Sequence, residues 1–558
     1  MSLLLIALLA GLILLGAYFL YGRFLEKKLS LDNNNPVPSQ TMYDGVDYIP
    51  TRKTLLLGQH FSAIAAAGPI VGPILAGLLF GWVPALLWIL VGSIFIGGVH
   101  DLTALVASVR HKARSIAEVV KEHMSRRAYL LFLLFIWFSL VYVIVAFTDI
   151  TASAFTQKTY GAGVASSSFL YLSLAFFMGL ALYKLRLPLW LSTLIFLPLV
   201  IFAIWYGQKI PITLPSFLGL EPLKIWDLIL LLYCFIASII PLWILLQPRG
   251  YLGGLFLYGT LLAGIMGILF GGFKINYPPF IGFKSMDGIP IFPVLFITVA
   301  CGACSGFHAI VSSGTSSKQL RSEKDAKLIG YGGMLLEGLV AVIALATLMM
   351  LTRFGALSKA KPDEIYASGI SNFLSIFNID RNFAMSFGLL AFATFIYDTL
   401  DVCTRLGRYI FQELTDWRGK FSIAGPTLIT LLIPAFSVMV QVKDSSGNLL
   451  PAWRIFWSLF GTSNQLLAAL TLLGVTVWLK ETRKAWYYTV IPMAFMLIMT
   501  LWSLILMILP WLGKLLSGNF IIEVIPLCAL VLLTLAILLL TEALRSLFFK
   551  KSNLRTNI

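Results

Sequence analysis

Apolar runs of about twenty residues recur along this chain, each closed by a short polar or basic stretch. That length matches a helix crossing a hydrocarbon core of about 30 Å at about 1.5 Å per residue. About fifteen such runs begin near residues 1, 58, 83, 129, 166, 188, 226, 252, 290, 326, 383, 422, 453, 486 and 521. The pattern predicts an all-α polytopic membrane protein. Two of the runs are broken. One reads Gly58-Gln-His-Phe-Ser-Ala-Ile-Ala-Ala-Ala-Gly68-Pro69-Ile-Val-Gly72-Pro73. The other carries Cys301-Gly-Ala-Cys-Ser-Gly-Phe-His-Ala-Ile-Val-Ser-Ser-Gly-Thr315. Proline lacks a donor and clashes with the preceding turn, and a lipid core offers no water to free backbone groups. Both stretches are therefore expected to interrupt their helices, at Gly68–Pro73 and at Gly302–Gly306, where protein or a wet cavity surrounds them.

Paired interruptions far apart in sequence point to a transporter's central site. The broken runs are the second and the ninth, so they cross the membrane in opposite senses, as an inverted repeat requires. The expected organisation is a peripheral first helix and cytoplasmic linker (1–57), then a transporter core (58–480). Inverted repeats of five plus five helices occupy 58–207 and 290–480, with inserted helices at 226–273. Peripheral helices and a cytoplasmic tail follow (481–558). Asp32-Asn-Asn-Asn-Pro-Val-Pro-Ser39 has turn chemistry and is expected to be an exposed linker.

Composition narrows the classes. Hydrophobic residues make up 59% of the chain and charged ones 12%, which leaves no soluble domain. The net charge of +16 is spread over short loops, as in Arg110, Lys112, Arg114, Lys121, Arg126 and Arg127. Cytoplasmic loop bias accounts for that distribution, and a nucleic-acid partner does not. The bias places the N-terminus outside and the C-terminus inside a plasma or inner membrane. The five cysteines lie in or beside apolar runs and read as reduced. Oligomeric state is not legible, and no cofactor motif occurs.

Chemistry concentrates at a few intramembrane positions. Half-helix N-termini at the breaks would present free N–H groups to a carboxylate, which marks Gly68, Pro69, Gly72, Gly302, Ser305 and Gly306, with Ser312 and Ser313 lending hydroxyls. Ionisable groups inside a membrane are functional candidates by default: His60, Asp101, His308, Glu337, Asp398 and Asp401. The competing reading of the histidines is a neutral ring bonded to a carbonyl at a break. For Asp101 and Glu337 it is a hydrogen bond to a break opposite. Asp401 and Arg405, four apart, are expected to pair on one helix, possible either as a clamp or beside a proton carrier at Asp398. Asn464 and Gln465 offer amides for gating, or for fastening helices. Cys301, Cys304 and His308 fall on one helical face if that stretch is helical. They would then be a metal candidate without a fourth ligand, or a nucleophile–base pair without an orienting third group. Trp82 and Trp88 read as interface belts.

Four stretches resemble the carbon starvation protein A family of membrane transporters. They are Gly58-Gln-His-Phe with Ala67-Gly-Pro-Ile-Val-Gly-Pro73, Ala300 through Thr315, Thr399-Leu-Asp-Val-Cys-Thr-Arg-Leu-Gly-Arg-Tyr409, and Leu459-Phe-Gly-Thr-Ser-Asn-Gln-Leu-Leu-Ala468. The chain departs from the family pattern at Gln59, His100 and Asp398. The resemblance implies a leucine-transporter-like fold, no enzymatic activity, and uptake of peptides or pyruvate under carbon starvation. Protons are the implied coupling ion, with sodium as the alternative and a transporter-fold sensor as the rival function.

Overall fold

The protein, seen in a computed structural model, is described over residues 2–44, 48–241, 243–417, 419, 421–440, 442–443, 449–517 and 523–549. The expected tail beyond residue 549 lies outside the described residues. Twelve helices are long and apolar enough to cross a membrane, or thirteen if the bent pair Lys53–Ile64 and Gly68–Phe80 counts as one span. Two further apolar runs make shorter helices: Ile291–Thr298 with Phe307–Gly314, and Ala424–Met439. Burial separates centre from rim. The apolar window of Ala452–Glu481 is 100% buried and that of Lys327–Met349 89%, against 17% for Leu3–Leu29, which presents its sides outward.

The first break is displaced from the prolines. The helix ends at Ile64, Ala65 has a non-helical ψ of 74°, and a new helix bent by 50° starts at Gly68. Pro69 denies a donor to the carbonyl four residues earlier, at Ala65, so the ladder opens one turn ahead of the ring. Pro69 itself sits in the first helical turn, where a missing N–H costs nothing, and Pro73 is carried inside the helix. The second break runs from Val299 to Gly306, between Ile291–Thr298 and Phe307–Gly314, and includes the expected Gly302–Gly306. This stretch is not helical, so the helical face expected for Cys301, Cys304 and His308 does not exist.

The two breaks touch. A Cβ on Gly72 would come within 2.5 Å of the Thr298 carbonyl oxygen, so only glycine permits this approach. Gly68 packs on Cys301, and Gly302 on Pro69 and Ala341. Trp88 is buried and donates its indole N–H to the Val299 carbonyl, at 3.1 Å. Trp82 is buried as well, so neither tryptophan forms an interface belt. Two neighbouring helices carry π-helical turns, Ser93–Gly97 and Lys327–Gly332, each a short way before an acidic residue, Asp101 and Glu337. A π turn shifts the register of the side chains that follow it, and such turns gather at functional sites.

The linker after the first helix is exposed at residues 32–34 and at Pro36, as expected, but docked at residues 37–39. Ser39 is fully buried and donates to the Leu320 carbonyl, and Asp32 N–H and Asn35 donate to Glu323. Glu323 also takes the Arg110 guanidinium at 2.7 Å, while Arg110 reaches back to the Leu29 carbonyl. The Asp32 N–H and the Asn35 amide thus serve one acceptor nearly three hundred positions away, which composition alone does not disclose. Burial pushes the Glu323 carboxyl up, but the hydrogen bonds from Arg110 and Asn35 and the Arg110 charge hold it below its ordinary value. A lowered carboxyl stabilises the fold above the unfolded carboxylate range and loses that contribution as pH falls through its folded value. Glu323→Gln is expected to cost on the order of 3 kcal/mol, the scale for removing one partner of a buried ion pair. Its detergent melting temperature should fall by several degrees at pH 7, with the gap to wild type closing as acid protonates the native carboxyl.

Candidate functional site

The second break delivers His308 into a buried cluster. His308 is the second residue of Phe307–Gly314, and its Nδ1 lies 2.8 Å from Asp101 Oδ2. On the other side its Nε2 lies 3.1 Å from Glu337 Oε2. His100 Nδ1 stands 2.7 Å from the second Asp101 oxygen. His100, Asp101, His308 and Glu337 are all 0% exposed. Glu337 has no hydrogen-bond donor on either oxygen among the described residues. His60, from the helix before the first break, bonds Ser316 Oγ at 2.8 Å and packs on Gly333, one turn before Glu337. Both breaks therefore bring an imidazole to the same helix, Lys327–Met349.

Charge counting says what this cluster can do. With both carboxylates ionised and both imidazoles of the Asp101 cluster neutral, two negative charges would sit fully buried beneath the surface. Two added protons, shared among the four groups, make the volume neutral. A buried uncompensated charge costs several kcal/mol, at least about 3, so proton count and conformation are tied together here. Such a site can take up and release a proton when the surrounding helices move.

The second half-helix is closed by one side chain. Asn464, from Ala452–Glu481, accepts the Phe307 N–H on Oδ1 at 3.0 Å, and its backbone carbonyl takes the Gly306 N–H at 3.1 Å. Its Nδ2 reaches Ser305 Oγ at 3.1 Å and Cys301 Sγ at 3.3 Å. A Cβ on Gly306 would strike the Ala468 amide and the Asn464 carbonyl at 2.5 Å. Gln465 donates to the Phe296 carbonyl, at the open end of the preceding half-helix. Of the two serines, Ser313 spends its hydroxyl on the Ala309 carbonyl at 2.7 Å, while the buried Ser312 hydroxyl has no hydrogen-bond partner among the described residues.

Asp398 and Asp401 belong to a separate cluster, and Arg405 is not their partner. The side chain between them is Arg249, from Leu246–Phe270: it lies 2.9 Å from Asp398 and bonds Asp401. Tyr233 donates to Asp401 at 2.8 Å. Arg405 instead donates to the Ala237 and Ile240 carbonyls at 2.7 Å, and Arg408 to Ser238, capping the end of Pro222–Ile239. Helix C-termini attract cations through free carbonyls, and that attraction beats the four-residue pairing. Sequence reading missed Arg249 because it placed that span's start near 252, leaving the arginine in a loop.

It missed a third cluster too. Lys224 lies 3.3 Å from Asp149 and 3.5 Å from Asp227, while Asp149 takes the Trp453 N–H at 2.8 Å and so caps Ala452–Glu481. Beside it opens a cavity of about 640 Å³, lined by Lys158, Lys224, Lys361, Trp226 and Ser153. It lies at the end of Arg126–Phe155 opposite to Arg110 and Glu323. Lys224 and Asp227 stand three apart on one helix, but Asp149 lies 75 positions earlier on another, and no short motif joins the three.

Against known proteins, the chain matches the family described as carbon starvation protein CstA over residues 1–357 and 355–503. It belongs to that family. A Bacillus subtilis (strain 168) relative named peptide transporter CstA is 31% identical over 535 residues, covering 86% of each chain. The Escherichia coli (strain K12) peptide transporter CstA is 32% identical over 562 residues, covering 87% of this chain and 78% of its own. The pyruvate/proton symporter BtsT of the same organism is 29% identical over 577 residues, covering 88% of this chain and 79% of its own. Among solved structures, an Eremococcus coleocola manganese transporter mutant aligns over 90% of this chain and 97% of its own, with a TM-score of 0.41 and 14% identity. The carbon starvation relatives are transporters and not enzymes. In keeping with that, His308 faces carboxylates and not Cys304, so no nucleophile–base pair forms.

Proposed function

We propose that this chain is a secondary active importer of the plasma membrane, taking up peptides or pyruvate under carbon starvation by proton symport. It is read as two inverted five-helix repeats of the leucine-transporter kind, with the N-terminus outside. The observation that carries this is the buried His308–Asp101–Glu337 cluster hung on the second break, in a family whose named members move peptides or pyruvate. His60, one turn away, sits beside the same helix. A coupling proton needs a side chain that can gain and lose it, and an imidazole held between two carboxylates is such a group. Sodium is favoured less, because it needs oxygen ligands at the breaks. The Val299 and Phe296 carbonyls there are taken by Trp88 and Gln465, and that of Thr298 faces Gly72.

The substrate carboxylate is assigned to the place held by Asn464. When Ala452–Glu481 moves away, the Phe307 and Gly306 N–H groups lose the oxygens they now bond, and a carboxylate replaces them at the half-helix N-terminus. Ser305 and the free Ser312 hydroxyl complete that surface. Gly68, Pro69, Gly72 and Gly302 let the two breaks close over it. The cavity at the outer end, where Lys158 and Lys361 stand against Glu221 and Lys224 is paired with Asp149 and Asp227, offers a weakly positive approach for an anionic solute.

Uptake of labelled pyruvate and labelled dipeptides into proteoliposomes, under separately imposed proton and sodium gradients, tests this. Accumulation of either substrate on a proton gradient alone is the expected result. Accumulation on sodium alone would replace the coupling ion, and none of either substrate on both gradients would remove the reading. Asn464→Ala and Gln465→Ala should reduce uptake several-fold while shifting the melting temperature little, since interhelical polar contacts contribute about 1 kcal/mol or less. Equal loss of both would make the two amides helix fasteners.

A further inference from the structure

Away from the transport site, two histidines outside the spanning helices meet in an arrangement that neutral rings cannot hold. His111 closes Gly98–Arg110, and His123 ends the short amphipathic helix Ile116–His123. His111 Nδ1 lies 2.6 Å from the Ala107 carbonyl oxygen. A carbonyl only accepts, so Nδ1 carries the proton. His123 Nδ1 lies 2.7 Å from a Glu481 carboxylate oxygen, which fixes its proton in the same way. Both Nε2 atoms then present lone pairs, and they are 2.8 Å apart. Two lone pairs at that separation repel unless a cation stands between them.

The surroundings say which cation. Glu122 brings a third ligand oxygen, and the ligand atoms of His111, Glu122 and His123 all lie within 4.8 Å of one another. Behind the two rings stand a backbone carbonyl and a carboxylate, the outer-shell partners that orient metal-bound imidazoles. We propose that His111 Nε2, His123 Nε2 and the Glu122 carboxylate form a site for a divalent transition metal of the zinc class, with the fourth position open to water. Tetrahedral zinc at about 2.0–2.1 Å from each nitrogen sets the two nitrogens about 3.3 Å apart, so the rings part by about half an ångström to receive it.

The site joins elements that carry the transport residues. His111 follows the helix of Asp101, and Glu481 ends the helix of Asn464. Ser546, on the last helix, donates to the His123 carbonyl at 3.0 Å. A bound metal clamps these ends together and slows their relative movement; this consequence rests on the transport reading above, whereas metal binding does not.

The test is a zinc titration of purified, tag-free protein in detergent against a chromophoric competitor, for wild type, Glu122→Gln and His111→Gln/His123→Gln. The five cysteines are present in all three proteins, so differences isolate the histidine site. Wild type is expected to bind one more equivalent than the double variant and to melt at higher temperature with zinc but not with magnesium. Exposed Glu122→Gln, which leaves the fold undisturbed, should weaken that equivalent about tenfold. Equal binding by wild type and both variants overturns the proposal, as does a wild type that ignores zinc while its melting temperature tracks pH between about 5 and 8, the mark of a shared proton. Where the site binds, micromolar zinc should slow uptake by wild-type proteoliposomes and not by the double variant. Binding without that effect would remove the clamp and keep the site.

Discussion

His308→Gln is expected to abolish gradient-driven accumulation and to leave substrate counterflow. Glutamine keeps a donor and an acceptor near Asp101 and Glu337 but cannot carry the positive charge that balances them, so the proton count of the cluster no longer follows conformation. Exchange of substrate across the membrane needs the empty and loaded carrier to reorient with substrate bound, and does not need the proton to leave. Accumulation is expected to fall by about tenfold or more to the equilibrated level, since each 1.4 kcal/mol of lost coupling is about tenfold in the gradient sustained. Asp101→Asn should behave alike, because Asp101 is the carboxylate shared by both imidazoles. Glu337→Gln should retain partial coupling, its carboxylate meeting one imidazole where Asp101 meets two. His60→Gln is the comparison, since His60 meets Ser316 and no carboxylate. Native accumulation in His308→Gln and Asp101→Asn would remove proton carriage from this cluster.

How much of this was legible beforehand differs by kind of signal. Helix positions follow from apolar run length, a property of the chain alone, and the broken runs announced themselves through glycine and proline. The place of the first break did not, because proline acts on a carbonyl four residues earlier and the gap opens at Ala65–Ala67. His308, Asp101 and Glu337 could each be singled out as intramembrane ionisable groups, but nothing in their spacing of 207 and 29 positions says that they meet. Local pairing rules failed where a longer-range partner was stronger. Asp401 and Arg405 stand one helical turn apart, yet Arg249 outbids Arg405 for the carboxylate and the helix end of Pro222–Ile239 outbids Asp401 for the guanidinium. The docked linker is a case of the same kind, its turn residues serving the Arg110–Glu323 pair.

Arg249→Met is expected to be the most damaging substitution to folding. Arg249 is 1% exposed and is the cation between Asp398 and Asp401, both buried. Removing it leaves two carboxylates facing each other in a low-dielectric interior, at a cost of about 3–5 kcal/mol, which is a large share of the stability of most proteins. Folded yield in detergent should collapse. Restoring neutrality should restore the fold: in Arg249→Met/Asp398→Asn/Asp401→Asn each amide can still take the Tyr233 hydroxyl or a neighbouring carbonyl, and no charge is left unpaired. Monodisperse yield and melting temperature would be compared for wild type, the single variant and the triple variant. A single variant as stable as wild type, or a triple variant no better than the single, would sink the charge-compensation account. The triple variant also separates the two acidic clusters. If it accumulates substrate on a proton gradient as wild type does, Asp398 and Asp401 fasten the inserted helices and the coupling proton belongs to the His308 cluster; if it folds and exchanges but does not accumulate, the proton rides on Asp398 or Asp401 instead.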